Sequence, residues 1–202
     1  LWDEKKIINL LKHNQKWYDN YNSYKHMHQK IDFAKYVILY YYGGIYVDMD
    51  AKIIKNPNIL IREYPKKEIF LSYIFGNQIE HYLSVGVRKI INNGIIFVKN
   101  PKNKIMKEFI NLTLKQKWKS YLNFKLLEIQ NSTGPKAFTQ NFNKLLKKYP
   151  NKIKILSYDF FEPCILDNCN ITQNTITVHH HTNTWLNDYI KTIAIFYSKI
   201  RR

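Results

Sequence analysis

The stretch from Asp32 to Asp50, DFAKYVILYYYGGIYVDMD, constrains this chain more than any other. An acid opens a dense apolar and aromatic run, paired glycines interrupt it, and a short segment then ends in Asp48 and Asp50. The run Ile31–Tyr42 is too long for a strand and too apolar for an exposed face. It predicts a buried helix stopped by a left-handed turn at Gly43–Gly44. Ile45–Val47 then reads as a core strand delivering both carboxylates at its carboxyl end, where open α/β sheets place their ligands. Alternate residues of a strand share a face, so both acids can approach one ion. Carboxylate oxygens are hard ligands suited to Mg²⁺ or Mn²⁺, and such an ion keeps open positions for phosphate oxygens. The segment therefore points to chemistry on a diphosphate.

The remaining sequence alternates helical and strand-like segments. Leu1–Lys30 is polar and rich in Tyr and His, with a short amphipathic helix suggested by Ile7, Ile8, Leu10 and Leu11. Glu68–Phe75 and Ile95–Val98 read as strands, the second entered through the turn residues Asn92-Asn93-Gly94. Lys102–Lys117 has helical spacing at Ile105, Met106, Phe109, Ile110 and Leu114, and a loop at Asn131–Pro135 precedes a helix over Lys136–Tyr149. Lys152–Leu156 and Thr175–Val178 read as late strands, and Trp185–Arg202 as an apolar-basic helix. This alternation favours a mainly parallel sheet with helices around it. With no internal repeat and no linker, the 202 residues are read as one α/β domain.

The net charge of +17 invites a nucleic-acid reading, yet arginine occurs only at Arg62, Arg88, Arg201 and Arg202. Specific groove readers favour the planar fork of arginine, so a lysine-based excess argues against specific nucleic-acid recognition. It leaves attraction for anionic substrates or a membrane surface. The C-terminal segment, with Ile190, Ile193, Ile195, Phe196 and Ile200 among basic residues, suits peripheral membrane contact or ordinary packing. No run is apolar enough to span a bilayer, which fits a soluble domain in the cytoplasm or at a membrane surface. Cys164 and Cys169, in EPCILDNCN, match neither a zinc ribbon nor a CxxC redox motif, and are read as free thiols rather than a local disulfide.

Three further features bear on the acid pair. The triplet His179-His180-His181 can supply another metal ligand, His179 and His181 sharing one side of a strand. Asn93 and Gly134 sit in turn segments that can shape a pocket, and Trp185 can close over a ligand or pack in a core.

Taken together, Asp32-Phe33-Ala34-Lys35-Tyr36, Leu39-Tyr40 and Gly43-Gly44-Ile45-Tyr46-Val47-Asp48-Met49-Asp50 resemble the glycosyltransferases whose sugar-binding region contains a DXD motif. This is the Och1-like glycosyltransferase family 32, to which the clostridial glucosylating toxins are distantly related. Asn93-Gly94-Ile95-Ile96, Thr133-Gly134-Pro135 and the spacing from His179 to Trp185 resemble later family elements in order. The resemblance implies a GT-A (Rossmann-like) fold and sugar transfer from a nucleotide-sugar donor with retained anomeric configuration. It implies an acceptor that is a glycan, a glycolipid or a protein, as in polysaccharide biosynthesis. It also implies Mn²⁺ or Mg²⁺ held directly by Asp50, with Asp48 binding the ion or the donor ribose and diphosphate, and His179 as a further ligand with His181 as the alternative. Asp32 would accept from donor-sugar hydroxyls, and Tyr46 would line the nucleotide site. Gly43 and Gly44 would let backbone approach the donor, while Asn93, Gly134 and Trp185 would complete its pocket. Lys35 stands where the family usually has Arg, which keeps the charge and loses bidentate geometry.

Family members typically open with a strand that helps hold the nucleotide base, and nothing here matches it. The expectation is a domain lacking its first strand and N-terminally incomplete. That departure, with Lys35, is what a non-catalytic relative binding a donor or a polyanion would show. A glycoside hydrolase is the other enzymatic alternative, and it would need two carboxyls flanking a bond and no metal.

Overall fold

A computed structural model describes residues 2–74, 89–116, 125–165 and 168–180. Three helices open the chain: α1 (Glu4–Leu11), α2 (Gln15–Ser23) and α3 (Met27–Tyr42). Asp3 and Asn14 cap the first two by accepting from the Lys6 and Trp17 amides. The dense run of α3 buries Phe33, Ala34, Tyr36, Val37 and Leu39. Gly43 ends α3 with φ at 65°, its amide donating to the Leu39 carbonyl, and Gly44 follows at 90°. Both conformations favour glycine, so the pair turns the chain from α3 into β1 (Gly44–Val47).

β2 (Ala51–Ile53), α4 (Asn58–Glu63), β3 (Ile69–Ser72) and β4 (Ile95–Val98) follow. Next come α5 (Lys104–Thr113), α6 (Lys125–Ser132), α7 (Pro135–Lys148), β5 (Ile153–Leu156) and the single turn α8 (Tyr158–Phe161). The described chain ends with β6 (Cys164–Ile165), β7 (Asn168–Cys169) and β8 (Thr177–His179).

The central sheet has the order β1-β4-β3-β5. Its pairings correct the expectation of a mainly parallel sheet: β3–β5 is parallel, whereas β1–β4 and β3–β4 are antiparallel. β4 runs between β1 and β3 against both, and helical periodicity elsewhere in the sequence carries no information about that direction.

Alternation along the strands separates two cores. Ile69, Leu71, Ile96, Val98 and Ile153 face the larger one, built on α3, α5 and α7. There Tyr36 and Phe109 meet edge-on at 4.9 Å, and Phe109 stacks on Phe142 at 4.5 Å. Phe70, Ile95, Phe97 and Leu156 face the smaller core, with Leu60, Phe161 and Ile176. A sheet buried on both faces leaves its strand ends as the accessible edge, and that is where the acids lie.

Cys164 and Cys169 form a disulfide, correcting the free-thiol reading. The antiparallel β6–β7 register sets them directly opposite, with Cα atoms 3.9 Å apart. Among the described residues, no helix is long and apolar enough to cross a membrane. The helix expected over Trp185–Arg202 lies outside the described residues.

Candidate functional site

Asp48 and Asp50 converge, but by a different device from the one their spacing suggests. The β1–β4 ladder continues one step beyond Val47, the Asp48 amide donating to the Gly94 carbonyl at 2.9 Å. The chain then turns, closed by the Ala51 amide on the Asp48 carbonyl at 3.0 Å, and enters β2. The acids therefore flank a turn whose tip, Met49, is fully exposed.

β2 pairs with β8 so that Ala51 lies opposite His179, and the His180 amide donates to the Asp50 carbonyl at 3.0 Å. This register brings the buried His179 to the acid pair. One ligand atom from each of Asp48, Asp50 and His179 lies within 4.8 Å of the others. Two carboxylates and an imidazole form a donor set that fits Mn²⁺ or Mg²⁺.

The surroundings hold these groups in place. His179 Nε2 is 3.0 Å from Asp50 Oδ1, and its Nδ1 is 2.7 Å from Glu162 Oε1. Burial works against charge on the imidazole. The hydrogen bond to Glu162 and the charges of Glu162, Asp50 and Asp48 overcome it and lift the pKa to about 9. Tyr46 donates its hydroxyl to Asp48 Oδ1 at 2.7 Å. A Cβ built on Gly94 would stand 2.4 Å from Asp48 Oδ2, so only glycine leaves room for this carboxylate.

A second polar group adjoins the first through Tyr46. Lys35 Nζ lies 4.8 Å from the Tyr46 ring centroid and 2.6 Å from Asp32 Oδ1. Asn93 Nδ2 donates to the same Asp32 oxygen at 3.1 Å, and Thr133 Oγ1 donates to the other at 3.1 Å. Tyr36 completes the group by donating to the Thr133 carbonyl at 2.7 Å. Burial pushes the Asp32 carboxyl up, opposed by Lys35 and Thr133. Burial also opposes charge on Lys35, but the Asp32 carboxylate prevails and keeps the ammonium protonated. This is a desolvated ion pair whose lone pairs and protons are largely taken up by neighbours.

Asp32, Lys35, Tyr46, Asp48, Asp50, Asn93 and His179 thus form one continuous constellation. Gly43 and Gly44 stand apart. Gly44 pairs with Val98 and Val47 with Ile95, so the glycines occupy the opposite end of β1, about 13 Å of strand from Asp48. A Cβ on Gly43 would meet backbone atoms of Asn100, Pro101 and Val98 at 3.0–3.1 Å, and its close approach is to its own chain. Gly134 packs at the start of α7, where a Cβ would meet the Ile129 carbonyl at 3.0 Å; its neighbour Thr133 is the residue that reaches Asp32. His181 and Trp185 lie outside the described residues.

Sequence reasoning missed Glu162 and Asn92. Glu162 is fully buried and accepts from Asn92 Nδ2 as well as facing His179. Its signal was an isolated acid inside the apolar string Phe160-Phe161-Glu162-Pro163-Cys164.

A family model for the glycosyltransferase sugar-binding region containing the DXD motif matches residues 1–67, which include Asp32, Lys35, Asp48 and Asp50. An uncharacterized glycosyltransferase of Acanthamoeba polyphaga mimivirus is 30% identical over 97% of this chain and 73% of its own length. This chain belongs to the DXD-motif glycosyltransferases. The inositol phosphoceramide mannosyltransferase 1 of Schizosaccharomyces pombe is 43% identical over 51 residues, which are 25% of this chain and 16% of that protein. Among solved structures, the PaToxG glycosyltransferase covers 73% of this chain and 46% of its own, with a TM-score of 0.46 and 20% identity. The α/β layout of this family member, with its acids at the end of a central-sheet strand, agrees with the GT-A architecture expected from the motif.

Proposed function

We propose that this glycosyltransferase moves a sugar from a nucleotide-sugar donor to a glycan, glycolipid or protein acceptor, with retention at the anomeric carbon and a divalent cation on the donor diphosphate. The observation that carries the reading is the convergence of Asp48, Asp50 and His179 within 4.8 Å at the end of β1. A cation there, Mn²⁺ or Mg²⁺, would offset the negative charge that grows on the departing diphosphate.

The chain's own residues divide the remaining work. Asp48, Asp50 and His179 hold the cation, and Tyr46 orients Asp48 while its ring covers Lys35. Asp32 has each carboxylate oxygen already tied to a neighbour, so its orientation is set before a donor arrives. It accepts from donor-sugar hydroxyls, and Asn93 and Lys35 hold it for that task. The lysine in place of the family's arginine supplies a point charge rather than a fork, and it spends that charge on Asp32.

The similarity to an inositol phosphoceramide mannosyltransferase of Schizosaccharomyces pombe makes a mannosyl donor and an inositol phosphoceramide acceptor the first pair to try. The test is donor hydrolysis and transfer on a panel of UDP- and GDP-sugars, with Mn²⁺, with Mg²⁺ and with EDTA. Turnover that requires the cation and disappears in Asp48→Asn and Asp50→Asn supports the reading. Turnover untouched by EDTA and by both substitutions removes the metal from it.

A further inference from the structure

The cation reading leaves one buried acid without a task. Glu162 lies between α8 and β6 with no exposed surface. A carboxylate in such a place is costly unless its charge is matched by hydrogen-bond donors. Its Oε1 receives Asn92 Nδ2 and faces His179 Nδ1 at 2.7 Å. The opposite ring nitrogen of His179 faces Asp50 Oδ1 at 3.0 Å. The imidazole is therefore held between a buried carboxylate on one side and the ligand cluster on the other.

Asn92 extends this support to the second arm of the site. Its Oδ1 accepts the Gly94 amide at 2.6 Å, and the Gly94 carbonyl accepts the Asp48 amide at 2.9 Å. One short chain of hydrogen bonds thus links the His179 arm to the Asp48 arm without crossing the space between their ligand atoms. Glu162 itself is not part of the converging group of Asp48, Asp50 and His179.

We propose that Glu162 is a positioning residue for the divalent-cation site: it accepts the Nδ1 proton of His179, fixes the ring's tautomer and tilt, and presents the bare Nε2 toward Asp48 and Asp50. The inference rests on the cation reading above. A carboxylate behind a ligating imidazole orients the ring and makes it more basic, and losing such a partner typically weakens metal binding about 10–100-fold.

The test is a Mn²⁺ titration of the metal-free 202-residue chain without donor, followed by the electron paramagnetic resonance of free Mn²⁺. Wild type, Glu162→Gln, His179→Ala and the double variant form a cycle. Glu162→Gln keeps the shape and one acceptor oxygen, and its affinity should fall about tenfold or more. In the His179→Ala background the same change should move affinity less than about twofold, because its effect passes through the missing ring. A second measurement needs no variant. Nitrogen-15 spectra of the wild-type chain with Cd²⁺ should show His179 protonated at Nδ1 and metal-bound at Nε2. Equal losses in both backgrounds, no loss in either, or metal bound through Nδ1 would overturn the proposal while leaving the cation site standing. A wild-type chain that takes up no Mn²⁺ overturns both.

Discussion

His179 Nε2 stands 3.0 Å from Asp50 Oδ1 although 129 residues separate them in the chain. The contact is produced by backbone register: Ala51 opposite His179 on β2 and β8, and the His180 amide on the Asp50 carbonyl. A two-stranded ladder outside the central sheet thereby closes the site that the central sheet opens. The central sheet fixes the Asp48 side of the acid turn through the Asp48 amide on the Gly94 carbonyl, whereas the β2–β8 ladder fixes Asp50 and His179 together.

Asp48→Asn and Asp50→Asn keep side-chain volume and hydrogen-bonding capacity while removing a hard anionic ligand. Transfer and donor hydrolysis should fall at least about a hundredfold in each, the scale expected when a group stabilising transition-state charge is lost. Circular dichroism and the melting temperature without metal should stay near wild type, because neither carboxylate belongs to a hydrophobic core. A variant with retained activity would show that its carboxylate does not serve the reaction.

The raised pKa of His179 predicts opposite pH trends with and without metal. In the metal-free chain its folded pKa, about 9, lies above the ordinary histidine value of 6.5. Protonation therefore favours the folded state. That stabilisation is complete below about pH 6.5 and is lost as pH rises through 9. Melting temperature should decline across this interval, and the decline should shrink in His179→Ala. A cation displaces the Nε2 proton, so Mn²⁺ affinity should increase over the same interval with release of a proton. Flat profiles in both experiments would remove His179 from the ligand set.

Lys35 and Asp32 form a buried pair, and breaking one side should cost more than removing both. Lys35→Met strands the Asp32 carboxylate in a desolvated setting, at about 3–5 kcal/mol in urea unfolding. Burial raises the Asp32 carboxyl, so the stranded acid takes up a proton more readily than an exposed one. The deficit should therefore be larger at pH 8 than at pH 5. Adding Asp32→Asn should recover stability without recovering transfer. A double variant less stable than Lys35→Met would mean that the pair is not the source of the cost.

The legible parts of the fold were those with a local signal. Ile45–Val47 and Ile95–Val98 announced themselves by β-branched content next to glycine, and the apolar run ending at Tyr42 gave α3, although that helix begins earlier, at Met27. The helix expected over Lys136–Tyr149 is α7, Pro135–Lys148, with proline in its first turn where the missing amide costs nothing. β2 was not legible, since Ala51–Ile53 is three residues long and is a strand only because β8 lies beside it. α4 and α6 were missed for want of clear periodicity. In the site, motif resemblance names Asp48, Asp50 and His179, which lie within 4.8 Å of one another, and Asp32, but strand alternation is not what brings the two acids together. They meet across a turn rather than along a strand. Glu162 escaped because a lone acid in an apolar string looks like a loop residue until the partner it faces is known.

Gly94→Ala separates the geometry of the acid pair from the stability of the fold. The added Cβ would meet the Asp48 carboxylate at 2.4 Å and Asn92 Oδ1 at 3.1 Å, both at the ends of side chains. Gly94 does not have a positive φ, so alanine needs no strained backbone there. Restricting the unfolded chain favours the variant by about 0.4–1 kcal/mol, which offsets part of the cost of moving those side chains. The melting temperature should change by only a few degrees. Asp48, by contrast, must rotate away from the position where Tyr46 holds it, and a ligand arm misplaced by about 1 Å can cost on the order of a hundredfold in rate. Mn²⁺ affinity and transfer should fall together in this variant while the fold persists. Wild-type Mn²⁺ binding in a folded Gly94→Ala chain would mean that Asp48 reaches its productive position from elsewhere.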